Sequence, residues 1–465
     1  MITTQIKLIP LSDNTMSSKS EPRILSVSAA SSASSSATSS DSSSASAGGT
    51  SNSSSSSSSS ASSKQYEVVP YDSFDAMDLE DDILRGVYSY GFTDPSKPQR
   101  LGIKPMMDRR DIICQSQSGT GKTGTFVIGA LNCIDPTIQA PQILIINPVR
   151  ELANQTATVA RGIGQYLKVS EHVTGIKVMT ATGGTPVAED HKALRNGAQV
   201  IVGTPGRIYD LLCGDKRRGQ QQRMNLKHLK WLILDEADKL LEALFAEQIR
   251  EILATGAFPD SASLAMFSAT MPAEVLDVAD RYLKDPVRIL IPTEEVKLEG
   301  IKQYYIDCEK SEWKKDVLGD LYTHMSVGQG IIFANKKATV EILATAMTKD
   351  GFTLEYIHGE MEPAERKKRM DDFRTGKVRI LISTDVLARG IDVQAVSVVI
   401  NYEMPMERED YFHRIGRCGR YGRKGVSINL IAGEDEIVKM KDIETHYSLV
   451  IPVLPQNLSV LSSDK

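Results

Sequence analysis

Short apolar runs repeat along this chain, each ending at a polar cluster and each followed by a stretch of helical spacing. Five come first: Ile112 to Cys114, Ile143 to Ile146, Val200 to Val202, Trp231 to Leu234 and Leu264 to Phe267. A run apolar at every position, and not at alternate ones, fits a strand covered on both faces. Strands alternating with helices predict a doubly wound parallel sheet with its working edge at the carboxyl ends of the strands. Polar residues stand at those ends: Pro148-Val149-Arg150-Glu151, Thr204-Pro205-Gly206-Arg207, Asp235-Glu236-Ala237-Asp238 and Ser268-Ala269-Thr270. Ahead of the first run, Ile83, Leu84, Val87 and Tyr88 recur at helical spacing and predict a helix over Asp81 to Tyr90.

The pattern loosens around Asp285 to Leu298, where Pro286 and Pro292 flank an interdomain linker. It then restarts with Ile331 to Phe333, Leu354 to Ile357, Ile380 to Ile382, Val398 to Ile400 and Val426 to Ile431, a second α/β domain. The basic stretch holding Lys216, Arg217, Arg218 and Arg223 reads as a solvated loop.

Composition changes the picture mainly at the N-terminus. Ser26 to Ser63 is nearly all Ser and Ala. Such a segment cannot bury enough apolar surface to offset its ordering entropy, so a disordered tail is expected. Met1 to Leu11 lacks the apolar core of a secretory leader, and no run is long enough to span a bilayer. Five scattered cysteines without ligand spacing read as reduced thiols of an intracellular protein. A net charge of -5 speaks against coating nucleic acid by bulk charge. A polynucleotide would have to be held by local arginines, backbone amides and helix N-termini.

Chemistry enters at two strand ends. Ser118-Gly119-Thr120-Gly121-Lys122-Thr123 follows the first apolar run. A glycine-rich turn lets backbone N–H groups close around phosphate oxygens, and the helix that follows adds its positive dipole end. Lys122 would reach the β- and γ-phosphates and the Thr123 hydroxyl would ligate Mg²⁺. Taken alone, Asp235-Glu236-Ala237-Asp238 fits either an acidic helix start or carboxylates for a hydrated Mg²⁺. The phosphate loop upstream decides for nucleotide chemistry.

Two further clusters stay open on the residues alone. Gly91-Phe92 through Gln99 offers an aromatic face and an amide that pairs with adenine's edge, or a helix cap with a buried Phe. His413-Arg414-Ile415-Gly416-Arg417-Cys418-Gly419-Arg420 spaces arginines three apart, as on one helix face. Standing alone it would be a solvated or RNA-facing patch. Opposite a phosphate loop without its own arginine, a cis arginine finger is the better reading, an element that contributes roughly 10³–10⁵ in rate.

Together these motifs, in this order, resemble the DEAD-box RNA helicases over residues 74 to 455. The resemblance implies two tandem RecA-like parallel-sheet domains after the Ser-rich tail: residues 66–288 binding ATP, a linker at 289–299, and a helicase C-terminal domain at 300–465. Phe92 would stack on adenine and Gln99 read its edge. Ser118, Gly119, Thr120, Gly121, Lys122 and Thr123 would hold the triphosphate, with Mg²⁺ on Thr123 and, through water, on Asp235. Glu236 would position and deprotonate the attacking water. Ser268 and Thr270 would couple Asp238 to RNA, Asp392 would contact the ribose, and Arg417 and Arg420 would meet the γ-phosphate. Arg150, Gly183, Gly184, Thr204, Gly206, Arg207, Arg366, Thr384 and Gly390 would line the RNA path.

By the same resemblance, the activity is RNA-stimulated ATP hydrolysis with local unwinding of duplexes by a monomer. The implied partners are single-stranded or short duplex RNA, without sequence preference, and a translation-initiation scaffold protein in the cytoplasm. The alternatives are an ATP-locked clamp in a nuclear messenger-RNA complex and a divergent paralogue with weakened RNA coupling. Five positions depart from the family pattern: Pro98, Ser116, Val149, Pro363 and Glu242 to Leu244. Three of them fall on or near the RNA side, while the hydrolytic set is complete.

Overall fold

The computed structural model describes residues 66–116, 119–214, 224–242, 245–290, 300–325, 328–385, 393, 395–419 and 424–455, which belong to one compact unit. The Ser-rich tail, Ser118, Gly390, Asp392, Arg420, Ala243, Leu244, most of the basic stretch and most of the linker lie outside the described residues.

In chain order the first lobe carries β1 (Ile112–Gln115), β2 (Ile143–Ile146), β3 (Lys168–Ser170), β4 (Val173–Thr174), β5 (Val178–Ala181), β6 (Val200–Gly203), β7 (Trp231–Asp235), β8 (Ser263–Ser268) and β9 (Val287–Leu290). Seven of these form one parallel sheet in the order β5-β6-β2-β7-β8-β1-β9, while β3 and β4 pair as a short antiparallel ribbon. The second lobe carries β10 (Ile301–Asp307), β11 (Gln329–Phe333), β12 (Leu354–Ile357), β13 (Ile380–Ser383), β14 (Val396–Asn401) and β15 (Gly425–Ile431). These form a six-stranded parallel sheet in the order β10-β15-β14-β11-β13-β12. Two parallel-sheet α/β lobes match the alternating pattern and make the RecA-like architecture that the resemblance implies.

The continuous apolar runs have their physical reason here. Ile143 and Ile145 enter the core on one face of the first sheet, and Leu144 and Ile146 the core on the other. Trp231 and Ile233 divide from Leu232 and Leu234 in the same way. With helices on both faces, every position of the central strands β2, β6, β7 and β8 is buried.

The strands missed by pattern are the β3–β4 ribbon and β5, β9 and β10, the last three at sheet edges. Val287 and Ile289 are buried whereas Arg288 and Leu290 are exposed, so β9 lacks a continuous run. Its pairing with β1 takes the first sheet as far as Leu290, two residues into the stretch 289–299 read as linker. Among the described residues no helix is long and apolar enough to cross a membrane.

Candidate functional site

Parallel register brings the carboxyl ends of β1, β2, β7 and β8 to one level: Gln115 pairs with Ser268, Ile146 with Leu234, and Asp235 with Phe267. The first-lobe site is built on that rim. After β1 the chain turns through Gly119 and Gly121, at φ +85° and +100°, and enters the helix Lys122–Leu131. A side chain at Gly121 would place its Cβ 2.6 Å from Ser96 Oγ and 2.9 Å from Gln99 Nε2, so a glycine is required for close approach as well as for conformation.

Lys122 is buried and donates from Nζ to the Ser116 carbonyl at 2.7 Å, with Glu236 Oε1 at 3.8 Å. The Ser116 and Thr120 hydroxyls are bonded to each other across the loop. Thr123 stands half-buried in the first helical turn. Gln99 makes the cap of its helix: its Oε1 accepts the Ser96 N–H at 2.8 Å and its Nε2 donates to the Gly121 carbonyl at 3.3 Å. An amide has two donors and two lone pairs, so these bonds leave capacity for adenine's edge. Phe92 lies half-buried beside it, its ring 5.6 Å from Tyr90 and stacked.

Asp235 ends β7 and is buried. Its Oδ2 accepts from Asn147 Nδ2 at 3.0 Å and its Oδ1 from the Glu236 N–H at 3.0 Å. Burial above all, then the neighbouring Glu236 charge, pushes its pKa up to about 7, against a pull downward from Lys122. Glu236 adopts a left-handed conformation at φ +52°, uncommon away from glycine. That turn starts the helix Ala237–Leu240 and sends Asp238 toward β8. There Ser268 Oγ accepts the Asp238 N–H at 3.2 Å and Thr270 Oγ1 donates to Asp238 Oδ2 at 2.8 Å, which unites the three residues read as a coupling set.

The second lobe meets this rim through the helix Arg408–Ile415. His413, buried, lies with Nδ1 4.0 Å from Glu236 Oε2 and Nε2 3.8 Å from Asp238 Oδ2. Glu236, Asp238 and His413 bring one possible ligand atom each within 4.8 Å of one another. The ring nitrogens are divided between the two carboxylates, so the cluster reads as a contact between lobes and not as a metal cage.

Arg414 and Arg417 do not share a helix face. The helix ends at Ile415, and Arg414 turns into the lobe, its fork bonded to Asp385, Asn335, the Glu403 carbonyl and, more distantly, Asn401. A fork tied to the Asp385 carboxylate and to three further acceptors has no reach to phosphate. Arg417 lies beyond the helix end, buried, with Nε donating to the His413 carbonyl at 2.9 Å.

On the other side of the cleft, Arg150 and Pro205 begin adjacent helices whose caps, Val149 and Thr204, make no side-chain capping bond. The open N–H groups of two helix N-termini, with the exposed Gly183 and Gly184 and the partly exposed Gly206, form a surface suited to anionic backbone. Thr384 stands half-buried just after β13 in the second lobe, its N–H on the Ile357 carbonyl.

Two residues expected on this path are committed elsewhere. Arg207 is buried, its fork bonded to the Asp190 carboxylate and to the Thr185 hydroxyl and carbonyl, and so holds the loop carrying Gly183 and Gly184. Arg366 bridges to Glu151 across the lobes. Two residues that sequence reasoning left without a role, Asn147 and His413, stand inside the site. Their signal was position alone: a polar residue at the end of an apolar run, and the first residue of the arginine cluster.

Rim, phosphate-type loop, buried carboxylates and a second parallel-sheet lobe closing on them define a two-lobed, nucleotide-driven ATPase of the RecA-like class. Residues 96–278 match the DEAD/DEAH box helicase family and 313–422 the helicase conserved C-terminal domain. ATP-dependent RNA helicase eIF4A of Aspergillus oryzae is 47% identical over 84% of this chain and 89% of its own length. That of Aspergillus fumigatus is 48% identical over 83% and 91%. Among solved structures, Saccharomyces cerevisiae Dbp5 bound to RNA and ADP BeF3 superposes with a TM-score of 0.75 at 33% identity, covering 84% of this chain and 99% of that one. This chain belongs to the DEAD-box family of ATP-dependent RNA helicases, and is an RNA-binding ATP hydrolase.

Proposed function

We propose that the hydrolytic centre is the rim between Lys122 and His413, and that it turns over ATP when RNA draws the lobes together. The observation that carries this reading is Glu236, held 3.8 Å from Lys122 and 4.0 Å from a second-lobe histidine. Lys122 neutralises β- and γ-phosphate charge; the contact it now makes to Ser116 is one a phosphate oxygen can replace. Glu236 orients and deprotonates the attacking water. Arg417 approaches the γ-phosphate from the second lobe, joined by Arg420 and, at the ribose, Asp392. Phe92 and Gln99 take the adenine, and the amides from Ser118 to Thr123 the phosphates.

The donor set fits Mg²⁺, which favours few protein oxygens and keeps its waters. The Thr123 hydroxyl and, through water, Asp235 would hold it, and it would supply positive charge to the phosphates. Asp238 transmits occupancy through Ser268 and Thr270 toward the RNA side. There Arg150, Gly183, Gly184, Thr204, Gly206, Thr384 and Gly390 follow the backbone, while Arg207 and Arg366 act by positioning. Contacts to backbone without base readout explain how a chain of net charge -5 handles RNA irrespective of sequence.

The likeness to eIF4A supports a cytoplasmic role in translation initiation, as a monomer engaging an initiation scaffold. The test is ATP hydrolysis by the purified chain with and without single-stranded RNA, beside Glu236→Gln. Stimulation by RNA that disappears in the variant supports the assignment. Hydrolysis indifferent to RNA would mean that Val149, Pro363 and residues 242–244 uncouple the sites. An inactive wild type that still binds ATP and RNA favours an RNA clamp.

A further inference from the structure

The end of β2 carries a polar side chain that the reading above leaves without work. Asn147 is fully buried, directly after Ile143–Ile146. Because Ile146 pairs with Leu234 in parallel register, the next step along both strands sets Asn147 level with Asp235. Its Nδ2 donates to Asp235 Oδ2 at 3.0 Å and lies 3.5 Å from Thr156 Oγ1. With a cation bound beside it Asp235 is ionised, and an ionised carboxylate accepts and cannot donate, which sets the amide with Nδ2 toward it. Asp235 Oδ1 is taken by the Glu236 N–H, so Asn147 supplies the side-chain bond that fixes the second oxygen.

The other end of the same amide carries the argument further. Asn147 Oδ1 is buried and accepts no hydrogen bond in the structure. A buried carbonyl without a donor costs on the order of 1–3 kcal/mol, and such an atom calls for a specific explanation. A water in the shell of a divalent cation is a strong donor, and Asp235 is where that cation is placed. The geometry points to Asn147 as an outer-sphere residue of the Mg²⁺ site, orienting Asp235 through Nδ2 and accepting from a metal-bound water through Oδ1. This rests on the reading of Asp235 as the metal-side carboxylate. Outer-shell partners of this kind typically change metal affinity 10–100-fold when removed.

The test is ADP binding to the full chain, measured by calorimetry in Mg²⁺ and in EDTA, for wild type, Asn147→Ala, Asn147→Ser and Asp235→Asn. The readout is the ratio of the two affinities, which a loss of folding or of nucleotide contact alone does not change. Asn147→Ala should cut that ratio about tenfold with the EDTA affinity nearly intact. Asn147→Ser, which keeps a short donor and acceptor, should fall between and decides the matter if the alanine variant does not fold. A ratio unchanged in both Asn147 variants while Asp235→Asn collapses it would overturn the role of Asn147 alone. A ratio of one in wild type, or one that Asp235→Asn leaves intact, would overturn the placement of the metal and this inference with it.

Discussion

Arg366 and Glu151 join the two lobes by a two-pronged ion pair, Nε 2.7 Å from Oε1 and Nη2 3.1 Å from Oε2. Both side chains are about nine-tenths buried, at 10% and 11% exposure. Glu151 sits in the first turn of its helix, where the dipole favours a carboxylate, and Arg366 faces it from the first turns of the helix Pro363–Arg374. A planar fork on a carboxylate fixes orientation as well as distance, so closure has a defined register.

Removing one partner leaves the other charge buried and unpaired, which costs more than the pair contributes. Arg366→Ala should lower RNA-stimulated turnover about tenfold or more, with nucleotide binding in the absence of RNA little changed. The reversed pair, Arg366→Glu with Glu151→Arg, should recover part of the loss. A double-variant cycle should return a coupling of roughly 0.5–3 kcal/mol. Steady-state hydrolysis against RNA concentration measures both; additive losses would deny the contact a role in closure.

Gly184, at φ +87°, carries no Cβ where the lobes approach: one built there would lie 2.9 Å from Pro363 Cγ and 3.3 Å from the Arg150 guanidinium. Gly184→Ala combines a backbone cost of about 1–3 kcal/mol with that clash. RNA-stimulated turnover should fall several-fold. Adding Pro363→Ala should restore part of it, because the clash goes while the backbone cost stays.

Val149 caps the helix Arg150–Ile163 without a side-chain bond. Val149→Thr supplies an oxygen there and should stabilise the first lobe by about 1 kcal/mol in thermal or denaturant unfolding. The same hydroxyl faces the proposed backbone path, so RNA-stimulated turnover should rise too. Added stability without added turnover would show that Val149 does not weaken RNA coupling.

Asp235 binds its proton more tightly folded than unfolded, at about 7 against an ordinary 3.8, chiefly through burial. Between those values the native state holds more protons than the unfolded chain, so this group's contribution to stability falls as pH rises through the window. Denaturant unfolding of the ligand-free protein should therefore show Asp235→Asn gaining on wild type from about pH 4 to about pH 7. Equal stability profiles would mean that the carboxylate is already relieved of its burial.

Much of the site was legible in one dimension because its chemistry is local. Gly119 to Thr123 and Asp235 to Asp238 each lie within a few residues, and a strand covered on both faces announces itself as a continuous apolar run. Edge strands β5, β9 and β10 did not: only alternate positions are buried in β5 and β9, β10 is mostly half-buried, and such segments read as loop. Arginine spacing misled for a related reason. Spacing gives a face only where the helix continues, and this one stops at Ile415.

What the sequence by itself determined, then, is two parallel-sheet lobes, a phosphate-type loop, and an acidic strand end that together mean ATP chemistry. Tertiary structure alone decided which polar groups are engaged by others. Arg207, Arg366 and Arg414 look like phosphate ligands in sequence, but each is bonded to a carboxylate far along the chain, at Asp190, Glu151 and Asp385. Asn147 and His413 carry no motif of their own, and reach Asp235, Glu236 and Asp238 only because parallel register and lobe closure put them there. Backbone propensity and burial are written residue by residue. The pairing of buried charges depends on distances between segments, which only the folded chain fixes.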